Sequence, residues 1–160
     1  MEAVFNYANE QYKLVKESRQ TLFDFCNILD PRDLVTENSS FGRGGSARNL
    51  LVHIANTYEF WIGNCALKKN IVFTTYASKN TLNDIRSLFD DIDLLMNDFL
   101  ELFFKKGIDQ VSYEIKGIRN TATSFKIFTH VITHEFHHKG QILSLCRHFG
   151  YTPADTDIMR

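Results

Sequence analysis

The sequence has few of the residues that interrupt or cross-link a chain. Its 160 residues include only two prolines and three cysteines, and no apolar run approaches the roughly 18 residues that cross a bilayer. The cysteines Cys26, Cys65 and Cys146 are far apart and form no C-x-x-C pair, so we expect no disulfide framework. The first residues also lack the basic start and apolar centre of a signal peptide. These absences predict a cytoplasmic protein with reduced thiols and no membrane partner.

An excess of charge of either sign is also missing. The 18 Lys and Arg residues nearly balance the 19 Asp and Glu residues, which gives a formal net charge of -1. Nucleic-acid-binding proteins usually carry a positive field, so we expect no nucleic-acid partner and favour a small-molecule substrate or a protein partner. The length is typical of one domain, and we predict a single domain over residues 1–160.

The hydrophobic periodicity predicts four helices. Apolar residues recur at alternating steps of three and four over about 3–29, 46–66, 82–105 and 121–149. The segment 111–117 alternates polar and apolar residues, which favours a short strand or extended connector but no sheet of its own. We therefore predict an all-α fold, an antiparallel four-helix bundle with a short extended connector before the last helix.

Polar residues mark three of the predicted helix starts. Ser46 is a good N-cap for the second helix. Thr81 followed by Asp84 resembles a capping box at the start of the third helix. Asn120 and Thr121 are candidate N-cap residues and predict the start of the last helix.

Two features depart from the helical pattern. Arg19 is the one polar residue on the apolar stripe of the first helix. The loop 38–46 contains Gly42, Gly44 and Gly45 but fits neither G-x-G-x-x-G nor the Walker pattern. We therefore expect a flexible loop there, in preference to a phosphate-binding one.

Histidines are concentrated in the last predicted helix. Helix positions four apart differ by only about 40° around the axis, so His134 and His138 can bind one ion, and His130 with His134 is a second geometric pair. His53 lies on or beside the apolar face of the second helix. It is either a satisfied core residue or a third ligand. Three neutral imidazoles from two helices suit Zn, Ni, Cu or Fe with an open coordination position.

The same segment matches the H-E-x-x-H pattern of zinc proteases, in which Glu135 is the general base. A protease of this kind needs a third ligand. The extended metzincin motif requires glycine and histidine where this chain has Gln141 and Ser144. Only Asp155 or Asp157 remains as a downstream acidic ligand. The metalloprotease is thus the less favoured interpretation.

Several other residues have ordinary interpretations. Lys139 can contact an anionic substrate, but a basic residue in the second half of a helix also suits its dipole, which we favour. Tyr58, Phe60 and Trp61 either line a pocket or pack in the core, and we expect the core. Cys146 has no evident base beside it, so we expect no nucleophilic cysteine.

Two stretches resemble one known family. HVITHEFHHKGQILSLCRHFGYTPADTD, residues 130–157, resembles the final helix of the DinB/YfiT-like family, and SARNLLVHIANTYEFWIGN, residues 46–64, resembles its second helix. With the order of the four helices, the likeness covers most of the chain. Its specificity lies in combining His-Ile near the start of the second helix with His-x-x-x-His-Lys-Gly-Gln on the last.

The resemblance implies a divalent-metal site formed by His53, His134 and His138. His130 is then a residue of the pocket or a neighbour of the ligands, although it is also an alternative ligand. Glu135 becomes a solvated or helix-pairing carboxylate, and its match to the protease motif is incidental. Zinc or nickel is the expected ion, with iron, manganese and copper as alternatives.

The resemblance further implies an activity. Related proteins are metal-dependent transferases that join a low-molecular-weight thiol to a small electrophile, and some related bundles isomerise thiol conjugates. It also implies a homodimer. A first alternative is a non-catalytic metal-binding or stress-response protein. A second is a bundle that binds no metal and associates with protein partners.

Overall fold

A computed structural model of the chain describes residues 2–41 and 45–160. Within these ranges the protein is mostly helical, with one small antiparallel sheet of two strands. Gly42 and Gly44 of the predicted flexible loop lie outside the described residues. No helix in the described ranges combines the length and apolar character needed to cross a membrane.

The helices and strands follow one another in a simple order. In the described part of the chain they are α1 (Glu2–Cys26), α2 (Pro31–Val35), α3 (Ala47–Tyr58), α4 (Leu82–Phe99), β1 (Gln110–Ile115), β2 (Ile118–Thr123) and α5 (Ser124–His148). Helices α3 and α4 continue without a break as the π-helical segments Glu59–Ala66 and Leu100–Lys105. The four predicted long helical segments are therefore present, and α2 is an additional short helix.

Two of the predicted helix starts are confirmed by the capping bonds. The Ser46 side chain accepts a hydrogen bond from the main-chain N–H of Asn49 at the start of α3. Thr81 and Asp84 form a reciprocal capping box at the start of α4. Each cap satisfies main-chain N–H groups that have no partner within the helix.

The first helix is shorter than predicted. Helix α1 ends at Cys26, and the prediction that it runs to about residue 29 is wrong. The Asp30 side chain accepts a hydrogen bond from the N–H of Arg32, and Pro31 then begins α2. Proline suits the first turn of a helix because its missing N–H is not needed there. Pro31 thus starts a short helix.

The predicted connector is a complete hairpin, so the expectation that it forms no sheet of its own is wrong. Strand β1 pairs with β2 in antiparallel register. Lys116 and Gly117 form the turn with φ values of 51° and 77°, the left-handed pair that a two-residue hairpin turn requires. Only one of the two strands has a clear alternating pattern, which is why the second was not predicted.

The hairpin also delays the last helix. Asn120 and Thr121, predicted to start it, are paired in β2 instead. The observed N-cap is Thr123, whose side chain accepts a hydrogen bond from the N–H of Lys126. Helix α5 therefore begins at Ser124.

The core forms where the long helices meet. Helix α3 packs against α4 and α5, and α1 contacts the same two helices. Leu50 and Ile54 of α3, Ile92 of α4 and Val131 of α5 are at most 1% exposed. Burying side chains of this size stabilises a fold by about 1.5–3 kcal/mol each. The tight contact between α3 and α5 fixes the spacing of the polar side chains along it.

Candidate metal centre

Three histidines meet where α3 faces α5. His53, His134 and His138 each offer one ring nitrogen, and these three nitrogens lie within 4.8 Å of one another. The Nε2 atoms of His134 and His138 are 3.1 Å apart. The ring centroids are separated by 4.4–4.9 Å, and the rings meet edge to face. We call these three residues the histidine cluster.

The two helices hold the cluster in place through their apolar faces. His53 lies between the buried residues Val52 and Ile54 of α3. His134 and His138 are one helical turn apart on α5, the spacing that places two side chains on one face. The sequence-based pairing of these two histidines therefore agrees with their position in the fold. His53 reaches them because α3 and α5 pack directly against each other.

The donor set fits a divalent transition-metal ion. Zinc–nitrogen bonds of about 2.0–2.1 Å in a tetrahedral site place two ligand nitrogens roughly 3.3 Å apart. The observed nitrogen separations, from 3.1 Å to at most 4.8 Å, approach this value. Burial, and then the neighbouring His138 and His53, lower the pKa of His134 to about 3. His134 is thus uncharged at neutral pH, as a metal ligand must be.

Gln141 orients one of the three imidazoles. Its Oε1 lies 2.7 Å from Nδ1 of His138, and its Nε2 lies 3.3 Å from Nε2 of His137. With the amide nitrogen donating to His137, the amide oxygen accepts the Nδ1–H of His138. This assignment leaves the Nε2 lone pair of His138 directed at the cluster. Metal-binding histidines usually have their second ring nitrogen held in this way.

The other polar neighbours of the cluster are few. The Thr57 hydroxyl donates to the main-chain oxygen of His53 at 3.0 Å and lies 3.5 Å from Nε2 of His134. Nδ1 of His134 is buried and has no hydrogen-bond partner. A buried polar atom without a partner is uncommon and points to a strained or functional position.

Glu135 faces away from the cluster and pairs with α1. Its carboxylate receives two parallel hydrogen bonds from Arg19, at 2.9 and 3.0 Å, and one from the Tyr58 hydroxyl at 2.8 Å. Glu135 is 1% exposed and Arg19 is 4% exposed. The expectation of a helix-pairing carboxylate is confirmed, and that of a solvated one is wrong. A carboxylate fully engaged in this way is not placed to act as a protease base.

The same arginine joins a third helix. Its Nη1 lies 2.8 Å from Oδ1 of Asp93 on α4, and the Tyr12 hydroxyl donates to that oxygen at 2.6 Å. Burial raises the pKa of Tyr12 and of Tyr58. Burial, the largest single influence, lowers the pKa of Arg19, but the charge of Glu135, its hydrogen bond and the two tyrosines together raise it above the usual value. We call these five residues, Tyr12, Arg19, Tyr58, Asp93 and Glu135, the arginine network.

The other candidate ligands lie outside the cluster. His130 stands one turn before His134, with ring centroids 5.7 Å apart, and its ring meets Trp61 at 5.4 Å. In the described part of the chain, the one group of three or more His, Cys, Asp or Glu residues spaced for a metal ion is the histidine cluster. Asp155 and Asp157 are not part of it, so neither supplies the third ligand of a protease.

Two clefts share Trp61 as a lining residue, and one of them reaches the cluster at His53. The inner cleft, of about 290 Å³, is lined by His53, Asn56, Thr57, Phe60, Trp61 and Phe73. The outer cleft, of about 220 Å³, is lined by Trp61, Tyr113, Ala122, Lys126, Ile127 and His130. Phe60 and Trp61 are half-buried and line these clefts, and Trp61 also packs against the core. The expected core position is confirmed for Tyr58, which is 0% exposed. A small molecule in the inner cleft contacts a residue of the cluster directly.

Lys139 holds the C-terminal segment and does not face a ligand. It is 1% exposed, and its ammonium group donates to the Ser18 hydroxyl at 2.5 Å and lies 3.5 Å from the Phe136 ring centroid. Ser18 in turn donates to the main-chain oxygen of Thr156. Burial lowers the pKa of Lys139 to about 8, although the charge of Glu135 opposes this shift. The expected helix-end role of Lys139 is wrong.

The cysteines do not take part in the site. Cys26, Cys65 and Cys146 are all buried and unpaired. Burial raises the pKa of Cys146 to about 11 and that of Cys26 to about 12. Since the thiolate is the nucleophilic form, the expectation of no nucleophilic cysteine agrees with these environments.

Sequence reasoning found the three histidines but missed the residues that orient and flank them. Gln141 follows His138 by three positions, and its place on the same helical face was the available signal. Arg19 was visible as a polar residue in an apolar stripe, a pattern typical of a buried ion pair. Its partner Glu135 was hidden by the match to the protease motif. Thr57 gave no signal in the sequence.

Comparison with known proteins places these features in a wider group. The family model of the DinB family matches residues 4–160. A protein of Bacillus subtilis (strain 168), described as uncharacterized protein YizA, is similar to this chain at 26% identity over 148 residues. The matched region covers 88% of this chain and 87% of that protein. The residues matched by the family model include α3 and α5, the two helices that carry the cluster.

Proposed function

Because this chain belongs to the DinB family, we propose that it binds one divalent metal ion through His53, His134 and His138. The observation that carries this proposal is the convergence of one nitrogen from each residue within 4.8 Å. Zinc or nickel is the proposed ion, and iron, copper and manganese are alternatives. Imidazole nitrogen is a good ligand for zinc, nickel, iron and copper, whereas manganese prefers oxygen ligands.

The surroundings of the cluster support metal binding over a structural role for the histidines. A core histidine with a structural role usually meets one or two hydrogen-bond partners of another kind, whereas here one nitrogen from each of three histidines converges within 4.8 Å. Nε2 of His134 and Nε2 of His138 stand 3.1 Å apart, an arrangement that either one shared proton or a metal ion stabilises. The low pKa of His134 disfavours a charged, doubly protonated ring, but a neutral N–H of one ring can still donate to the other, so the convergence of all three nitrogens carries the proposal.

We propose that the bound ion serves a transferase reaction that joins a low-molecular-weight thiol to a small electrophile. A divalent ion with an open coordination position lowers the pKa of a bound thiol or water. The chain holds the ion through three imidazoles, orients His138 through Gln141, and offers the inner cleft to the small molecule. In the overall reaction the thiol proton passes to solvent and the sulfur bonds to the electrophilic carbon. The leaving group departs with the electron pair of its bond.

The main alternative is a metal-binding protein without catalytic activity, with a role in storage or stress response. The inner cleft favours the transferase because it adjoins His53 and provides space for a second reactant. The remaining alternative, a bundle that binds proteins and no metal, predicts no specific use for three converging imidazoles. The metalloprotease is disfavoured because Glu135 is buried against Arg19.

A spectroscopic titration tests the proposed function. Metal-free protein is loaded with one equivalent of cobalt(II), whose visible absorption reports the number and kind of its ligands. We expect a bound ion whose spectrum changes further when a small thiol is added, as required by an open position. A spectrum unchanged by thiol supports the non-catalytic alternative, and failure to retain cobalt after dialysis overturns metal binding altogether.

Several coarser features complete the proposal. We propose an antiparallel bundle of α1, α3, α4 and α5 in a single domain over residues 1–160, supported by their mutual contacts and by the long family match. The proposed setting is a reducing cytoplasm, because Cys26, Cys65 and Cys146 are all unpaired. The proposed assembly is a homodimer, supported by exposed apolar side chains such as Ile28 and Leu94, at 68% and 64% exposure.

A further inference from the structure

We infer that the two clefts beside Trp61 bind a small planar aromatic acid, with its ring in the inner cleft and its anionic group directed toward Lys126. This inference deepens the proposed function, since the reaction of such a ligand rests on metal binding at the histidine cluster. Binding of the ligand itself rests only on the shape and chemistry of the clefts. It is therefore testable without metal.

Aromatic side chains dominate the inner cleft. Phe60 meets Trp61 at 5.0 Å and Phe73 at 6.1 Å, in both cases edge to face. Phe73 is 46% exposed although it is a large apolar residue. Aromatic rings of a ligand add about 0.5–1.5 kcal/mol per favourable ring pair beyond the area that they bury. A flat ring that covers Phe73 and stacks beside Trp61 removes this apolar surface from water.

One polar group of the inner cleft determines how an acid must lie. The Nδ2 of Asn56 donates to the main-chain oxygen of Thr74 at 3.0 Å, which fixes the amide. Its Oδ1 is buried without a hydrogen-bond partner. An unpartnered acceptor oxygen repels a carboxylate and accepts from an N–H or O–H group. The anionic end of a ligand is therefore excluded from the side of Asn56.

The outer cleft supplies the opposite chemistry. Lys126 lines it together with the donor-bearing side chains of Tyr113 and His130. The rings of Tyr113 and His130 both meet Trp61 edge to face, at 5.3 and 5.4 Å. Trp61 thus forms a shared wall between an apolar site next to His53 and a site with positive charge. The ring of a planar aromatic acid suits the aromatic inner cleft, and its negative charge suits Lys126 of the outer cleft. A neutral aliphatic molecule has neither feature.

The single tryptophan makes the site directly observable. The chain has one Trp residue. The ¹H–¹⁵N NMR spectrum of the labelled protein therefore contains one indole N–H signal, which comes from Trp61. Metal-free wild-type protein is titrated with 2-naphthoate and, in parallel, with the neutral 2-naphthamide. We expect a saturable shift of this signal with both compounds, and tighter binding of naphthoate.

Two variants with matched controls assign the two halves of the ligand. We expect Phe73→Ala to weaken the binding of both compounds by about 3- to 10-fold, because one aromatic contact is lost. Phe125 is also an exposed phenylalanine but lies outside both clefts, and we expect Phe125→Ala to change neither affinity. We expect Lys126→Met to weaken the binding of naphthoate, but not of naphthamide, by about two- to fivefold, the effect of losing an exposed charge pair. Lys13→Met should change neither affinity.

The outcomes separate this inference from the proposed function. If the indole signal does not move, or if Phe73→Ala behaves like Phe125→Ala, the aromatic site is overturned even when metal binds. Equal effects of Lys126→Met on the acid and the amide overturn the placement of the anionic group. If the clefts bind naphthoate but the protein retains no metal, the ligand site stands and the proposed function fails.

Discussion

Helix α5 presents neighbouring residues to two polar regions that differ in how their hydrogen bonds are satisfied. His134 points into the histidine cluster, where Nδ1 has no partner and two ring nitrogens stand 3.1 Å apart. Glu135 points into the arginine network, where its two oxygens accept three hydrogen bonds. The Nδ1 atom of His134 lacks a hydrogen-bond partner, whereas both carboxylate oxygens of Glu135 have one or more.

The difference separates a structural polar group from a binding group. Buried polar side chains that satisfy one another hold helices in register and leave nothing for a ligand. Converging imidazole nitrogens, in contrast, can bind a divalent cation through their lone pairs when the rings are uncharged. Adjacent positions on one helix thus have opposite roles, because they differ by about 100° around the helix axis.

The largest expected effect is on the arginine network. Glu135→Ala leaves the buried Arg19 charge without its main partner, and breaking a buried pair in this way destabilises a protein by about 3–5 kcal/mol. Urea unfolding of the metal-free protein measures this loss. Metal affinity of the folded fraction should stay unchanged. Glu135→Gln keeps an acceptor for Arg19 and Tyr58, and we expect it to lose less stability than the alanine variant.

A second, smaller effect concerns the orientation of the cluster. Gln141→Leu removes the acceptor of the His138 Nδ1–H, and loss of such a partner typically lowers metal affinity by about 10- to 100-fold. Competition with a coloured chelator measures the affinity. Gln141→Glu retains an acceptor oxygen and should bind metal nearly as well as wild type. Equal affinity in the leucine variant would show that Gln141 does not orient His138.

The pH dependence of stability distinguishes the two regions further. Burial keeps the pKa of His134 near 3 in the folded protein, whereas an unfolded histidine titrates near about 6.5. The unfolded chain therefore takes up this proton first. The contribution of uncharged His134 to folding is fully present above about pH 6.5 and is lost as the pH falls toward 3.

Urea midpoints of metal-free protein at pH 7.5 and pH 5 measure this dependence. We expect His134→Asn to lose less stability between the two pH values than wild type. His148→Asn is the matched control, because His148 is exposed on the last turn of α5. A wild-type and His134→Asn pair with the same pH dependence would contradict the low pKa of His134.

The smallest effect is expected at an ion pair outside both regions. Lys69 and Asp98 are 2.6 Å apart, but their side chains are 42% and 56% exposed. Exposed pairs of this kind contribute about 0–1 kcal/mol, so Asp98→Asn should barely change the urea midpoint. If Asp98→Asn lost as much stability as Glu135→Ala, burial would not explain why the arginine network contributes more to stability than an exposed ion pair.

The sequence predicted the helices and the pair of histidines on α5 because both depend on local spacing. The three-four repeat on α4 and the capping residues Ser46 and Thr81 act within one or two turns, so they can be recognised without the fold. The same holds for His134 and His138. The position of His53 opposite them followed only from the family resemblance, because no local pattern encodes which helices pack together.

The rest depends on contacts between distant segments. Strand β2 has little alternation of its own and forms because β1 pairs with it through the turn at Lys116 and Gly117. Arg19 and Glu135 are 116 positions apart, and neither residue alone shows that it is buried. Phe60 and Trp61 are half-buried cleft residues, and their place could not be predicted because hydrophobicity does not distinguish the interior from an aromatic cleft.

The most direct test is the metal content of wild type beside His53→Ala and Glu135→Gln after dialysis against zinc and then metal-free buffer. The two histidines of α5 alone resemble a protease helix, and His53 is what joins α3 to the site. We expect about one retained equivalent per chain in wild type and Glu135→Gln, as one tetrahedral site requires, and little metal in His53→Ala. Undiminished zinc in His53→Ala would contradict a metal site shared by the two helices.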